Sequence, residues 1–172
     1  QTFSGSWGYY RDEMTWKDNK QLLVLLIESV SKGGNLLLNV GPTGRGTIDY
    51  RAENALLQMG DWMNFNARSI YGCTQAPDDY IVPDNCLLTY NSSTNRLYVH
   101  LLDYPLGVLT LKGMKGKIKY AQFLHDASEI RFTEKKGYIT IGQEKQAAED
   151  INLIIPVNKP PVEIPVIEIL LK

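Results

Sequence analysis

The spacing of apolar residues divides the chain into two segments with different periods. In the first segment, apolar residues recur every three or four positions, which is typical of helices with one buried face. From about Cys86 the period changes to two, and turn residues separate short segments, as in antiparallel strands. The pattern predicts an α/β segment followed by an all-β unit, with a linker at residues 74–83.

Two helices are predicted in the first segment. The first begins after a capping-box-like pair, Thr15 and Asp18, and ends at Gly33. The second is capped by Asp49 and ends near Asn66. Their expected packing positions are Leu22, Leu23, Leu26, Ile27 and Val30 in the first helix, and Ala52, Leu56, Met59, Gly60 and Met63 in the second.

Residues 35–40, which lie between the two helices, form a short run with no polar alternation. This pattern predicts a parallel strand covered on both faces, as in α/β folds. The following loop, residues 41–46, is rich in glycine but lacks the lysine and hydroxyl of a phosphate-binding motif. We therefore interpret the loop as a structural turn.

The second segment predicts an antiparallel β-sandwich, because it contains about seven short strands with a period of two. The strands are expected at residues 86–90, 96–102, 108–111, 117–123, 137–141, 151–155 and 162–170.

Composition excludes several classes of partner. The chain has 172 residues, of which 44% are hydrophobic, and a net charge of −1, so no broad attraction to nucleic acid or to anionic lipid is expected. The longest apolar run, residues 22–27, is far shorter than the ~20 residues that span a bilayer. We expect no nucleic-acid or membrane partner, and the oligomeric state stays open.

Metal and disulfide chemistry is not indicated either. His100 and His125 have no second set of ligands at metal-binding spacing, so no metal site is predicted. Cys73 and Cys86 cannot build a disulfide framework and are expected to be buried or inert thiols.

Four segments in sequence order carry a resemblance to a known family: Ser6-Trp-Gly-Tyr9, residues 33–43 (Gly-Gly-Asn-Leu-Leu-Leu-Asn-Val-Gly-Pro-Thr), Gly60-Asp-Trp62 and Ser69-Ile-Tyr71. In this order and spacing they resemble the last two β/α units of the α-L-fucosidases of glycoside hydrolase family 29. The resemblance covers residues 1–72, and it extends to the sandwich only by position and strand pattern. It implies the end of a (β/α)8-like barrel at residues 1–76 and a β-sandwich at residues 77–172.

The resemblance also implies the chemistry. Family members hydrolyse terminal α-L-fucose with two carboxyl groups and retain the anomeric configuration, without a metal or an organic cofactor. By resemblance, both carboxylates lie upstream, so no catalytic residue is expected in this chain. The implied partners are a fucosylated glycan and the remainder of the barrel.

Length agrees with that expectation, because a closed barrel of this type takes ~250 residues. The chain opens with Gln-Thr-Phe-Ser, with no initiator Met and no signal-like stretch. We expect its natural beginning to lie upstream, and the sequence does not indicate a cellular location.

Trp7 is the candidate substrate-binding residue. By resemblance, an aromatic side chain at this place lines the fucose pocket, where an indole face can cover the apolar edge and methyl group of a deoxy sugar. The alternative is a tryptophan packed between strand and helix. Trp16 and Trp62 lack the matching position and are expected in the core.

Polar residues nearby are expected to be structural. Asp12 and Glu13 are interpreted as a solvated approach to the first helix, although carboxylates at this end of a barrel strand can reach the active face. Asn35 and Asn39 are expected to satisfy neighbouring backbone groups. The remaining acids considered, Glu28, Glu53 and Asp61, are expected on helix surfaces.

Two other functions remain open from the sequence. The chain could act alone as a carbohydrate-binding module, or it could be a structural domain that stabilises a catalytic partner. Its predicted strands carry no obvious exposed aromatic platform, which counts against the first. An upstream Asp and Glu would favour the hydrolase.

Overall fold

The computed structural model describes residues 1–133 and 149–172 of the chain. The predicted strand at residues 137–141 lies outside the described residues. The elements in chain order are α1 (Asn19–Ser31), α2 (Tyr50–Asn66), a short 3-10 turn (Ala67–Ser69), β1 (Thr74–Gln75), β2 (Cys86–Asn91), β3 (Arg96–Leu101), β4 (Val108–Leu111), β5 (Ile118–Phe123), β6 (Arg131–Thr133), β7 (Ile151–Ile154) and β8 (Val166–Leu171). No helix in the described ranges has the length and apolar character needed to cross a bilayer.

Helix α1 begins with a capping box that lies one turn later than predicted. The Asp18 side chain accepts from the Gln21 amide at 2.7 Å, and the Gln21 side chain accepts from the Asp18 amide at 2.9 Å. Thr15 is not part of the box, because its hydroxyl donates to Glu13 instead. At the other end Gly33, with φ of 73°, closes the helix where predicted.

Helix α2 has the predicted cap and end, but its buried face differs from the prediction. Asp49 accepts from the Arg51 amide at 3.0 Å and caps the helix. Leu56 is exposed, and a Cβ at Gly60 would meet nothing within 4 Å, so these two packing predictions were wrong. The buried positions are Ala52, Met59, Trp62 and Asn66. Trp62 lies in the core as predicted, and its indole nitrogen donates to the Ile164 carbonyl at 2.8 Å.

Residues 35–40 do not form the predicted strand. A single parallel bridge joins Asn39 to Thr2, and the Leu37 side chain is 81% exposed, so coverage on both faces was also wrong for this chain. The reason is that residues 1 and 2 are the only described neighbours in a strand-like position. One short neighbour can form a bridge but not a sheet.

The all-β unit consists of two antiparallel sheets over the described residues. One has the strand order β1-β2-β3-β8-β5 and the other the order β4-β7-β6. Six predicted strands are confirmed, with β4 at identical bounds. Strand β8 starts at Val166 rather than at residue 162, because Pro165 has no amide to donate to a neighbouring strand. Two strands were missed: β6, and β1, which falls inside the predicted linker.

The five-stranded sheet is covered on both faces. On one face, alternate side chains such as Val99 and Ile167 pack against Leu153 of the three-stranded sheet. The opposite face packs against α1 and α2. This second core contains Phe3, Leu22, Leu23, Ile27, Ala52, Met59, Trp62, Ile70, Tyr98, Leu124, Ile164 and Val166. The helices and the five-stranded sheet therefore share this second core.

Polar side chains on the helix-covered face are buried with partners. The Glu168 carboxylate accepts from Tyr98 and Gln122 and contacts the guanidinium groups of Arg68 and Arg96. Nε2 of His100 lies 3.0 Å from the hydroxyl oxygen of Thr89.

His100 is held in its neutral form. The Thr89 hydroxyl donates to the Ser69 carbonyl at 2.7 Å, so it accepts the proton on Nε2 of His100. Burial lowers the pKa of His100 to about 3. The unfolded chain binds a proton near pH 6.5, whereas the folded chain does not, so this residue makes stability fall as the pH drops from about 6.5 to about 3.

We expect His100→Gln to reduce the acid sensitivity of the full-length protein. The variant should lose stability at pH 7 through altered packing, but it should lose less between pH 7 and pH 4.5 than the wild type does. The difference is expected to be about 2.5 kcal/mol, since pH 4.5 lies two units below the unfolded pKa and each unit corresponds to about 1.4 kcal/mol. Thermal unfolding of both proteins at the two pH values measures it. Parallel losses in both proteins would show that His100 does not cause the acid sensitivity.

Candidate functional site

The candidate site consists of the segment before α1 and the segment that follows α1. The amide of Asn39 donates to the Gln1 carbonyl at 2.9 Å, beside the parallel bridge between Thr2 and Asn39. Residues 1–18 and 39–41 are thus brought side by side. Trp7 lies in a loop between this bridge and the helix.

The Trp7 side chain is 75% exposed, so it is not packed between strand and helix in this chain. The backbone beside it is held in place. Its carbonyl accepts from Nδ2 of Asn39 at 2.6 Å, which means that Asn39 satisfies a neighbouring backbone group as predicted. The contact of Trp7 with a sugar stays a prediction.

A close approach of two backbones fixes the other side of this loop. A Cβ placed on Gly41 would lie 2.5 Å from both the Gly8 carbonyl carbon and the Tyr9 nitrogen. Since real Cβ atoms do not come this near to backbone atoms, only glycine fits at position 41 without moving the loop. The turn that begins at Gly41 is closed by the Thr43 amide, which donates to the Thr47 carbonyl at 2.8 Å, so the predicted turn is present.

Glu13 is not the solvated residue that the sequence suggested. It is only 8% exposed, and its carboxylate accepts three hydrogen bonds. The Thr15 hydroxyl and amide donate to Oε1 at 2.6 and 2.8 Å, and the Ser6 hydroxyl donates to Oε2 at 2.8 Å. These bonds, those from Thr15 first, lower the pKa of Glu13 to about 2. No periodic pattern marks this residue in the sequence, because its donors come from irregular segments on either side.

The neighbouring aromatic and acidic residues lie at the surface or close to it. Asp12 is exposed and pairs with Arg11 at 3.0 Å, in agreement with its predicted solvated position. Trp16 is half-buried rather than fully in the core. The guanidinium of Arg51 lies over its ring, 4.5 Å from the centroid, and its indole nitrogen donates to the Glu13 carbonyl. The exposed surfaces of Glu53 and Asp61 agree with their predicted positions on α2.

A small cavity adjoins Glu13 and Asn39. Its volume is about 10 Å³, which is about the space of one water molecule and far below that of a monosaccharide. Trp7 does not line this cavity, and the cavity is too small to hold a sugar. A complete sugar site at this place requires additional walls.

The other titratable residues considered from the sequence are dispersed. His125 lies 3.5 Å from Asp126, far along the chain from the buried His100. Among residues 1–133 and 149–172, no three His, Cys, Asp or Glu side chains are close enough together to hold a metal ion. Burial raises the pKa of Cys73 to about 11 and that of Cys86 to about 12, so both thiols are protonated at neutral pH, in agreement with inert cysteines.

The chain is similar in sequence to known proteins. Residues 1–68 match the family described as Alpha-L-fucosidase. The plasma alpha-L-fucosidase of Pongo abelii is 42% identical over 104 residues, which cover 58% of this chain and 22% of that protein. The chain thus spans less than a quarter of the length of this curated relative.

Solved structures extend the likeness to almost the whole chain. Alpha-L-fucosidase isoenzyme 1 from Paenibacillus thiaminolyticus is 33% identical, with a TM-score of 0.86, over 99% of this chain and 38% of that one. A GH29 alpha-L-fucosidase from Bacteroides thetaiotaomicron, trapped as a covalent intermediate, shares the fold with a TM-score of 0.81 at 22% identity, over 99% of this chain and 37% of that one. In sequence over residues 1–68 and in fold over nearly its whole length, the chain corresponds to the carboxy-terminal part of the α-L-fucosidases of glycoside hydrolase family 29.

Proposed function

We propose that the intact protein is a retaining glycoside hydrolase that releases terminal α-L-fucose from glycans, and that this chain supplies its carboxy-terminal part. The observation that carries the proposal is the match of residues 1–68 to the α-L-fucosidase family, because this stretch contains the whole candidate site. The solved α-L-fucosidase that matches over 99% of the chain supports it independently.

Residues 1–76 form the last β/α units of a (β/α)8-like barrel in this proposal, and residues 77–172 form the β-sandwich. Thr2 and Asn39 are bridged in parallel with α1 between them, which is the connection of a β-α-β unit and supports the barrel assignment. Strand β1 starts at Thr74, so the chain enters the sheet just before the proposed boundary.

The proposed chemistry uses two carboxyl groups that lie upstream of this chain. One attacks the anomeric carbon, while the other protonates the leaving oxygen and then activates water. The covalent intermediate trapped in the Bacteroides relative is consistent with this route. Glu13 does not suit the acid/base role, because a pKa of about 2 leaves it without a proton to give near neutral pH. The reaction needs no cofactor.

Trp7 contributes to the sugar pocket in this proposal. Its indole is large, apolar and exposed next to the parallel bridge, so its face is available to the methyl side of fucose. The cavity lined by its neighbours Ser6 and Gly8 has room for about one water molecule, which supports the proposal that the remainder of the barrel supplies the other walls. A fucosylated glycan and the remainder of the barrel are therefore the proposed partners.

A sheet that works alone as a carbohydrate-binding platform fits the structure less well. One face of the five-stranded sheet packs against the helices and the other against the three-stranded sheet. Among residues 1–133 and 149–172, this coverage leaves no open aromatic face on the sheet. The coverage supports a sandwich that is built onto a barrel.

We expect the full-length protein to hydrolyse an aryl α-L-fucoside, and Trp7→Ala to weaken its binding of fucose. Loss of the aromatic face should cost on the order of 1 to 3 kcal/mol, which is roughly a 5- to 150-fold rise in the fucose inhibition constant. Inhibition by free fucose and the KM measure the effect.

The matched control is Tyr71→Ala, which removes another strongly exposed aromatic side chain that lies outside the candidate site. It should leave the inhibition constant unchanged. An unchanged constant in Trp7→Ala, with normal stability, would remove Trp7 from the site. Absence of activity in the full-length protein would contradict the proposed function itself.

A further inference from the structure

We propose that Glu13 is a positioning residue, which fixes the loop that carries Trp7 so that the indole faces the sugar. This inference rests on the proposed role of Trp7. Glu13 itself would not touch the substrate.

The first step is that packing within this chain restricts Trp7 little. With 75% of the residue exposed, few neighbours among the described residues restrict the indole, so this chain sets its direction mainly through the backbone that carries it. A pocket wall must be rigid to contribute to binding. The anchors of this loop therefore decide where the aromatic face lies.

The second step is that the Glu13 carboxylate joins the two ends of the loop. Oε2 accepts from Ser6, the residue directly before Trp7, at 2.8 Å. Oε1 accepts twice from Thr15, which lies just before α1. The loop is thereby closed onto the start of the helix, with both carboxylate oxygens occupied.

The third step concerns the remaining anchors on the two sides of Trp7. Asn39 holds the Trp7 carbonyl, and Gly41 allows close contact with Gly8 and Tyr9, which follow in the chain.

On the preceding side, the Ser6 hydroxyl is held by Glu13, the Gly5 amide donates to the Thr15 hydroxyl at 2.9 Å, and the Ser6 amide donates to Oγ of Ser4 at 3.4 Å. The Thr15 hydroxyl is itself held by Glu13. Removal of the carboxylate therefore takes support from both Ser6 and Thr15 and loosens the preceding side of Trp7, while the following side stays fixed, so the indole is expected to turn.

The test uses four variants of the full-length protein. Glu13→Ala is expected to raise the fucose inhibition constant and the KM about ten-fold, because a displacement of about 1 Å is enough for such losses. Glu13→Gln keeps an acceptor for Thr15 and can donate to the Ser6 hydroxyl, so it should restore binding to within about three-fold of the wild type. Asp12→Ala removes the adjacent, exposed carboxylate and should change neither quantity.

Ser6→Ala is the fourth variant, and it keeps the proposal testable if Glu13→Ala fails to fold. It deletes only the link between the carboxylate and the residue before Trp7. A rise of several-fold in the inhibition constant is expected. An unchanged constant in Ser6→Ala, or in folded Glu13→Ala, would overturn the proposal.

A double-variant cycle separates positioning from a structural role. If Glu13 acts through Trp7, then Glu13→Ala should add less than about two-fold in the Trp7→Ala background, because both changes remove the same contact. A repeated ten-fold loss would show that Glu13 acts elsewhere and would overturn the proposal. A lower unfolding temperature with an unchanged inhibition constant would also overturn it, because stability alone would then be affected. If Trp7→Ala itself has no effect, the proposed role of Trp7 fails first, and the assay distinguishes that result from a failure of Glu13 alone.

Discussion

The isolated 172-residue chain is expected to show no hydrolysis of an aryl α-L-fucoside under conditions in which the full-length protein is active. The loss should amount to many powers of ten, because the two carboxyl groups of a glycosidase act as a unit and both are proposed to lie upstream. The acids near Trp7 cannot replace them. Asp12 is exposed and paired with Arg11, and the Glu13 oxygens are occupied by three hydrogen bonds.

Release of aryl alcohol, measured against the same molar amount of full-length protein, tests this expectation. Circular dichroism of the isolated chain is needed alongside, so that an inactive folded chain is distinguished from an unfolded one. A burst of product that disappears when Asp12 or Glu13 is mutated would contradict the expectation and would place the chemistry in this chain.

Removal of residues 77–172 from the full-length protein is expected to abolish stable folding of the enzyme, not only to loosen it. The deletion uncovers the apolar faces of α1 and α2, among them Leu22, Leu23, Ile27 and Trp62, which pack against Tyr98, Ile164 and Val166. At about 1.5 to 3 kcal/mol for each large apolar side chain, the loss is on the order of 10 kcal/mol. That is comparable with the whole stability of a typical domain.

Soluble yield and a thermal unfolding curve of the truncated protein measure this effect. The isolated segment of residues 1–72 is also expected to give no cooperative transition as a monomer, because the same apolar faces are uncovered in it. A cooperative transition in either protein would show that the barrel segment is stable without the sandwich, and that the shared core is not required.

The sequence predicted those features of the fold that depend on local chemistry. Asp49 was identified as a cap because a short polar side chain before an apolar stripe satisfies free amides. Asp18 was placed in a capping box as well, but the box was predicted one turn too early. Strands such as β4 were located by alternation and by the turn residues around them. Strand β1 was missed because two residues are too few to show a period, and only pairing with β2 defines it.

Features that depend on distant contacts could not be predicted in the same way. Leu56 and Trp62 are both apolar, and only the position of the sheet decides that Trp62 is buried and that Leu56 is exposed. Glu13 belongs to this group as well, because its donors on Ser6 and Thr15 come together only in the folded loop. Resemblance singled out Trp7 from the sequence, whereas its anchors required the structure.

The position of β8 between β3 and β5 has a consequence for biosynthesis. Helix α2 leaves the ribosome long before the segment that begins at Ile164 and continues into β8, since Trp62 and its partner Ile164 are 102 residues apart in the chain. At a synthesis rate of about 5 to 20 residues per second, the apolar faces of both helices stay without this covering segment for roughly 5 to 20 seconds. During that interval the nascent polypeptide exposes an apolar surface that favours aggregation. Production of this protein should therefore depend on chaperone supply and on translation speed, and slower synthesis across residues 70–160 should favour aggregation.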